Sequence, residues 1–256
     1  MLKVRAEQMQ VFEAHALRAF EDEMVAHSKE FAPHLSAVLG DEQLRVAVQT
    51  AISKAGEYGF TLRGPIRLFV ELTFLFGSGF HDDPQYPVIG EVLRSEAPEM
   101  TKANRLHEWH NEYLEKVAGP ENVNVRRALE FVDNFARNTP AALERNLDDE
   151  ILRGIVRAFP ERAVSIGENA LRALVAEGKE EAARHGFTTA RSNALLIILK
   201  ASFGHRCTND PIYPWIRKTL DDPQIAGPAA RADRLERKAV TWLGHVLARP
   251  QPGLPE

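Results

Sequence analysis

Phe76-Gly77, five residues, then Asp83-Pro84-Gln85-Tyr86-Pro87-Val88-Ile89 returns 127 positions later as Phe203-Gly204, five residues, then Asp210-Pro211-Ile212-Tyr213-Pro214-Trp215-Ile216. The same offset lays Gly59-Phe60-Thr61 on Gly186-Phe187-Thr188. It needs no gap from Phe20 to Leu93, where 21 of 74 positions are identical. Unrelated stretches of ordinary composition would share about 4 to 5 at that length. A two-residue insertion then shifts the offset to 129, and Ala103-Asn104-Arg105-Leu106 meets Ala232-Asp233-Arg234-Leu235. A doubled sequence carries its own control: a side chain that the fold needs recurs in both copies, whereas a site present once does not.

The spacing of apolar residues predicts helices almost throughout. Met9, Phe12, Ala16, Phe20, Met24, His27 and Phe31 recur every three or four residues, one stripe of a long helix. Gly40-Asp41 reads as a stop followed by an N-cap. Leu44, Val48, Ala51, Ile52 and Ala55 form the inner face of the next helix, and Pro65 suits the first turn of a third. That third helix, Leu68 to Phe76, and its counterpart around Leu195 to Leu199 are apolar on nearly every side, so they are expected side by side in the core. A short helix starts at Pro87 or Pro214. Leu106, Trp109, Tyr113, Leu114 and Val117 mark a fifth, matched by Leu235, Ala239, Trp242, Leu243 and Val246. Val125, Leu129, Val132 and Phe135 predict a connecting helix that packs. No stretch shows strand alternation bounded by hairpin signals. The expected architecture is therefore all-α, one pseudo-symmetric domain over 1–256. Repeat 1 covers about 20–117, the connector about 118–146, repeat 2 about 147–246, and a Pro-rich tail 247–256.

The doubled motif reads first as a joint. Phe76-Gly77 and Phe203-Gly204 end helices, with glycine where a left-handed residue is needed. Asp83 and Asp210 precede Pro84 and Pro211, which push the backbone out of the helical region, and aspartate there can accept from amides further along the turn. Tyr86-Pro87 and Tyr213-Pro214 open the next helix.

Composition narrows the function. The formal net charge is −4, so there is no global basic field for nucleic acid or an anionic membrane. The one cysteine, Cys207, excludes an internal disulfide and suits a reducing compartment. Met1 to Phe20 alternates charge with apolar residues, unlike a secretory signal, and the apolar run from Leu68 to Phe76 contains Glu71 and is too short to span a bilayer. A cytoplasmic protein is expected.

Few residues suggest chemistry. His107 and His110 sit at i, i+3, the spacing of a metal-binding pair on one helix face, with Glu108 and Glu112 nearby and His81-Asp82-Asp83 as further ligands. Their aligned residues are Glu236 and Ala239, so the fold does not need them, and a polar helix face is the plainer reading. Cys207 with His205 invites a nucleophile, but the aligned Phe80 favours an apolar filler of the turn. Glu71 and Lys200 interrupt the two apolar helices; they pair across the core or reach its rim. His15, His27 and His34 follow helical spacing. Arg231, Arg234, Arg237 and Lys238 are interleaved with Asp233 and Glu236, a solvated face. No phosphate loop, zinc-like cysteine pattern, nucleophile elbow or HExxH is present, so no catalytic or cofactor-binding residue is assigned.

Gln8-Met9-x-x-Phe12, Leu17-x-x-Phe20-Glu21-x-x-Met24-Val25-x-His27 and Phe76-Gly77-x-x-Phe80-x-x-Asp83-Pro84 resemble an uncharacterised bacterial helical family encoded beside type VI secretion genes, near tip proteins, PAAR-type spikes and toxic effectors. The likeness covers roughly the first 95 residues. Tyr86-Pro87-Val88 departs from that family's usual Leu-Pro-Trp, which Pro214-Trp215 recovers. The resemblance implies a context without transferring a site. It points to a non-enzymatic accessory factor, an adaptor or chaperone for a secreted effector or spike protein. An immunity protein against a cytoplasmic toxin is the second expectation, and a metal protein or enzyme using His107 and His110 the third.

Overall fold

The computed structural model describes residues 6–138 and 144–247. The expected tail and the end of the connector lie outside the described residues, as do the side chains of Gln8 and Val246. Among the described residues are twelve α-helices and no strand: α1 Ala6–Phe31, α2 Pro33–Glu57, α3 Arg63–Phe76, α4 Pro87–Arg94, α5 Glu99–Tyr113, α6 Val123–Arg137, α7 Leu147–Ala158, α8 Pro160–Ile166, α9 Glu168–Arg184, α10 Ala190–Phe203, α11 Pro214–Leu220 and α12 Gly227–Leu247.

Local chemistry sets many of these bounds. Pro33, Pro87, Pro160 and Pro214 occupy first-turn positions, where a missing N–H is harmless and φ is already helical. The Asn146 side chain accepts from the Asp149 amide to cap α7, and Thr189 Oγ1 accepts from the Ser192 amide at 3.1 Å to cap α10. At Gly40 the chain takes the non-helical φ 73° and ψ 165°, so the predicted stop is present and divides Pro33–Glu57 into two helical segments across a kink. Asp41, expected as an N-cap, pairs instead with Lys29 at 2.7 Å.

One apolar cluster draws on both halves of the chain, from Phe20 and Met24 through Phe69, Leu72 and Phe76 to Leu196, Phe203, Leu235 and Leu243. A second gathers Ile151, Ile155, Leu171, Leu174 and Val175 against Ala194, Ile197 and Ala201. Helix α10 thus serves both, with Leu195, Leu196, Leu199 and Phe203 on one side and Ala194, Ile197 and Ala201 on the other, which accounts for its apolar circumference. Helix α3 is not enclosed in this way: Leu75 is exposed. The connector α6 packs on α12, α7 and α10, burying Ala128 and Val132.

Three expectations need correction. Helices α3 and α10 do not lie flank to flank. Their C-terminal ends meet, and a Cβ added to Gly77 would stand 2.7 Å from the Phe203 carbonyl oxygen. The α1 stripe splits: Phe20 and Met24 are buried, whereas Met9 and Phe12 are 49% and 66% exposed. The fifth helix reaches Val117 but not as one α-helix: α5 ends at Tyr113, and Leu114–Ala118 continues it as a π turn closed by Gly119 at φ 73°.

Candidate functional site

The two copies of the Asp-Pro turn meet where α3 and α10 end. Gly77 (φ 87°, ψ 160°) and Gly204 (φ 94°, ψ 152°) hold nearly the same left-handed backbone. A Cβ on Gly204 would lie 2.8 Å from the Phe76 carbonyl oxygen, the reciprocal of the contact at Gly77. Only glycine fits both the torsion and the space. Each aspartate then makes two kinds of bond. Asp83 Oδ1 accepts from its own turn, the Gln85 amide at 2.8 Å, and Oδ2 accepts across the junction from the His205 amide at 2.8 Å. Asp210 Oδ1 accepts from the Ile212 amide at 2.8 Å and Oδ2 from the Ser78 amide at 2.7 Å. Sequence reasoning found the forward bonds and missed the exchange. Burial pushes the Asp210 carboxyl up to about 6, even though two backbone amides favour its ionised form.

Aromatic packing repeats around the junction. Tyr113 meets Phe76 at 5.1 Å and Tyr86 at 5.8 Å, both edge to face; Trp242 meets Phe203 at 4.8 Å and Tyr213 at 5.8 Å in the same manner. Such pairs add about 0.5–1.5 kcal/mol beyond their burial. Burial also raises the Tyr86 and Tyr213 hydroxyls well above the usual phenol range.

The polar surroundings of the two turns differ. Lys200, expected to cross the core or reach its rim, is 1% exposed; its ammonium donates to Glu177 at 2.9 Å and to the His205 carbonyl. His205 reaches Glu177 through Nδ1 (3.3 Å) and Asp82 through Nε2 (3.0 Å), and Asp82 also pairs with Arg206. Glu181 accepts from Thr208 at 3.0 Å and contacts His185 at 3.2 Å. Burial alone would raise Glu177, but bonds from His205 and Lys200 outweigh it and hold it at about 2; the His185 bond leads in holding Glu181 at about 2 as well. His205 is opposed by burial, yet its carboxylate neighbours raise it, while desolvation drives His81 down to about 4. Cys207 is fully buried, and burial pushes its thiol far above the range of a nucleophile. Glu71 stays on its own side, bonded to His27 at 2.7 Å and Arg67 at 3.1 Å.

Next to the first turn lies a cavity of about 330 Å³, walled by the π turn, α6, α8 and the ends of α3 and α10. Its sides are mainly apolar: Phe76, Leu129, Phe159 and Phe203 contribute. Arg162 of α8 enters it 9% exposed, between the rings of Tyr86 (5.5 Å) and Phe159 (5.3 Å). One Nη donates to Gln85 Oε1 at 2.5 Å and to the Tyr86 hydroxyl at 2.8 Å. Leu75, Asn122 and Val125 line the cavity and are exposed, so it reaches the surface between them. Sequence reasoning missed Arg162. In the sequence, an arginine at 162 contrasts with Leu35, which stands 127 positions earlier.

The histidine pair does not converge with other ligands. His107 is exposed and bonds Asn111 at 3.1 Å; His110 is half-buried, edge-on to Phe76 at 6.3 Å, and burial lowers its affinity for a proton. Glu112 pairs with Lys116, and His81 bonds Tyr58 at 3.0 Å. Among the described residues, no group of three or more His, Cys, Asp and Glu could hold a metal ion. No helix among them is long and apolar enough to cross a membrane. No family model, curated protein or solved structure matches this chain.

Proposed function

We propose that this chain is a non-enzymatic, cytoplasmic interaction protein, an adaptor or chaperone for a secreted effector of the type VI kind. In this reading, two copies of one helical unit form a single pseudo-symmetric domain. The paired bounds of α3 with α10 and α2 with α8 and α9, the matched glycine torsions and the exchanged aspartate bonds support the duplication. The observation that carries the function is the apolar start of α1. Met9, Val11, Phe12 and Leu17 are 49%, 68%, 66% and 48% exposed on one stretch of helix. That stretch precedes Phe20, the position aligned with the start of α7, so the second copy has no equivalent. Leaving such side chains in water forgoes about 1.5–3 kcal/mol each relative to full burial. Clustered on one helix, they suit docking into a partner's groove.

The test is a pull-down of the tagged chain from its host, beside a variant carrying Met9→Asp and Phe12→Asp. Stoichiometric recovery of one secreted effector or spike protein by the parent, at least about tenfold reduced by the variant, is the expected result. Equal recovery by both, or no such partner while the effector is expressed, would overturn the proposal. Growth rescue on co-expression with a toxin would move the chain to the immunity class.

A further inference from the structure

The cavity beside the first Asp-Pro turn contains a cation that the protein leaves incompletely satisfied. Arg162 is buried, and both of its side-chain hydrogen bonds go to neutral groups, Gln85 Oε1 and the Tyr86 hydroxyl. Its Nε is buried and makes no hydrogen bond; the Ser202 hydroxyl, on the same cavity wall, is in the same condition. The nearest candidates for an internal counter-ion are already engaged. Glu161 is gripped by Arg127 through both oxygens, and Asp83 accepts from the Gln85 and His205 amides. Asp83 supports the guanidinium only at a distance, its Oδ2 accepting from Gln85 Nε2 at 3.2 Å while no carboxylate bonds Arg162 directly, and a buried donor left unmade is costly. Both such donors, of Arg162 and Ser202, fall on one wall of a mainly apolar space of about 330 Å³, whose lining also includes Asn122, Asn124 and the Arg127-bound Glu161, and whose volume is within the range of sites for small molecules.

The repeat shows that this arrangement is not needed to build the fold. Position 162 aligns with Leu35, Gln85 with Ile212 and Ser202 with Leu75, so the polar members occur in one copy only. The π turn that shapes the far wall has no equivalent in α12, which runs helical through the matching positions. Such turns interrupt helices frequently at functional sites.

We propose that this cavity binds a small amphipathic carboxylic acid. Its carboxylate would face Arg162 and Ser202, and its hydrocarbon would lie along Phe76, Leu129, Phe159 and Phe203. A planar guanidinium matches a carboxylate in shape and charge, while aliphatic and aromatic walls select an apolar body.

Calorimetric titration of the full chain with octanoate, and separately with octanol, tests this in the parent protein. Octanoate is expected to bind at least about tenfold tighter than octanol, because only the acid offers a charged acceptor. Arg162→Met should remove that preference while leaving octanol within about threefold, since hydrocarbon replaces hydrocarbon along the stem. Leu129→Trp, which fills the cavity from α6 and leaves Arg162 in place, should abolish binding of both. Circular dichroism checks that each variant folds; should Arg162→Met fail to fold, the parent comparison and Leu129→Trp still decide. Equal affinity for acid and alcohol, no saturable binding of octanoate, or full retention by Leu129→Trp would each overturn the proposal.

Discussion

Residues 76–87 and 203–214 are identical at six of twelve positions and differ at the other six. Both begin with a left-handed glycine, both send an aspartate across to an amide of the other, and both bury a tyrosine against the preceding phenylalanine. Between those fixed points, Ser78 stands opposite His205, Phe80 opposite Cys207, Asp82 opposite Asn209 and Gln85 opposite Ile212. Both turns border the cavity, but its buried arginine bonds only Gln85 and Tyr86 of the first; the second backs onto a buried lysine with two glutamates. Common features hold the joint together, and the unshared ones are where a distinct role has room to arise.

The largest effects should come from breaking what is shared. Gly77→Ala and Gly204→Ala each force a Cβ against a carbonyl oxygen within 3 Å at a positive φ. Each should lose about 3–5 kcal/mol in chemical denaturation, and the two losses should be similar. A unique, unshared group should behave asymmetrically. Lys200→Met leaves Glu177, Glu181 and the His205 carbonyl short of a donor and should lose about 2–4 kcal/mol. Thr73→Val, at the aligned position, removes only a hydroxyl bonded to the Phe69 carbonyl and should lose under about 1 kcal/mol.

Acidity acts on the carboxylates around the second turn with opposite signs. Glu177 and Glu181 are held at about 2, below the ordinary 4.5, so their stabilising contribution is complete above pH 4.5 and is lost as pH falls through about 2. Asp210 is raised from 3.8 to about 6, so its contribution is complete below pH 3.8 and is lost as pH rises through about 6. Denaturation across this range should therefore show a shallower acid limb in Glu177→Gln than in the parent. A limb of unchanged slope would remove Glu177 from the network. The smallest effect belongs to the exposed end of α1: Met9→Asp with Phe12→Asp should change stability by no more than about 0.5 kcal/mol, while Met24→Ala on the same helix should lose about 2–5 kcal/mol.

Much of the fold was readable because helix signals are local. Pro65, Pro87 and Pro214 marked the first turns of helices, and three-to-four spacing marked α6 before any packing was known. What escaped was set by tertiary partners. Met9 and Phe12 carry the same periodic signal as Phe20 and Met24, and spacing cannot say which part of a stripe meets the core. Lys200 looks like a rim residue until Glu177, on the neighbouring α9, is seen to meet it. The Asp83 and Asp210 exchange joins residues more than 120 apart in sequence, beyond the reach of turn chemistry. The His107 and His110 pair illustrates the converse: suitable spacing on one helix does not bring the remaining ligands.

A double-mutant cycle on the exchanged aspartates, Asp83→Ala, Asp210→Ala and both together, measured by urea denaturation, decides whether the two turns lock one another. Each single substitution should lose about 2–3 kcal/mol by stranding two buried amides, and the double should differ from their sum by at least about 1 kcal/mol. If either single substitution were neutral, or the two losses simply added, the turns would be independent supports and the reciprocal joint would be wrong.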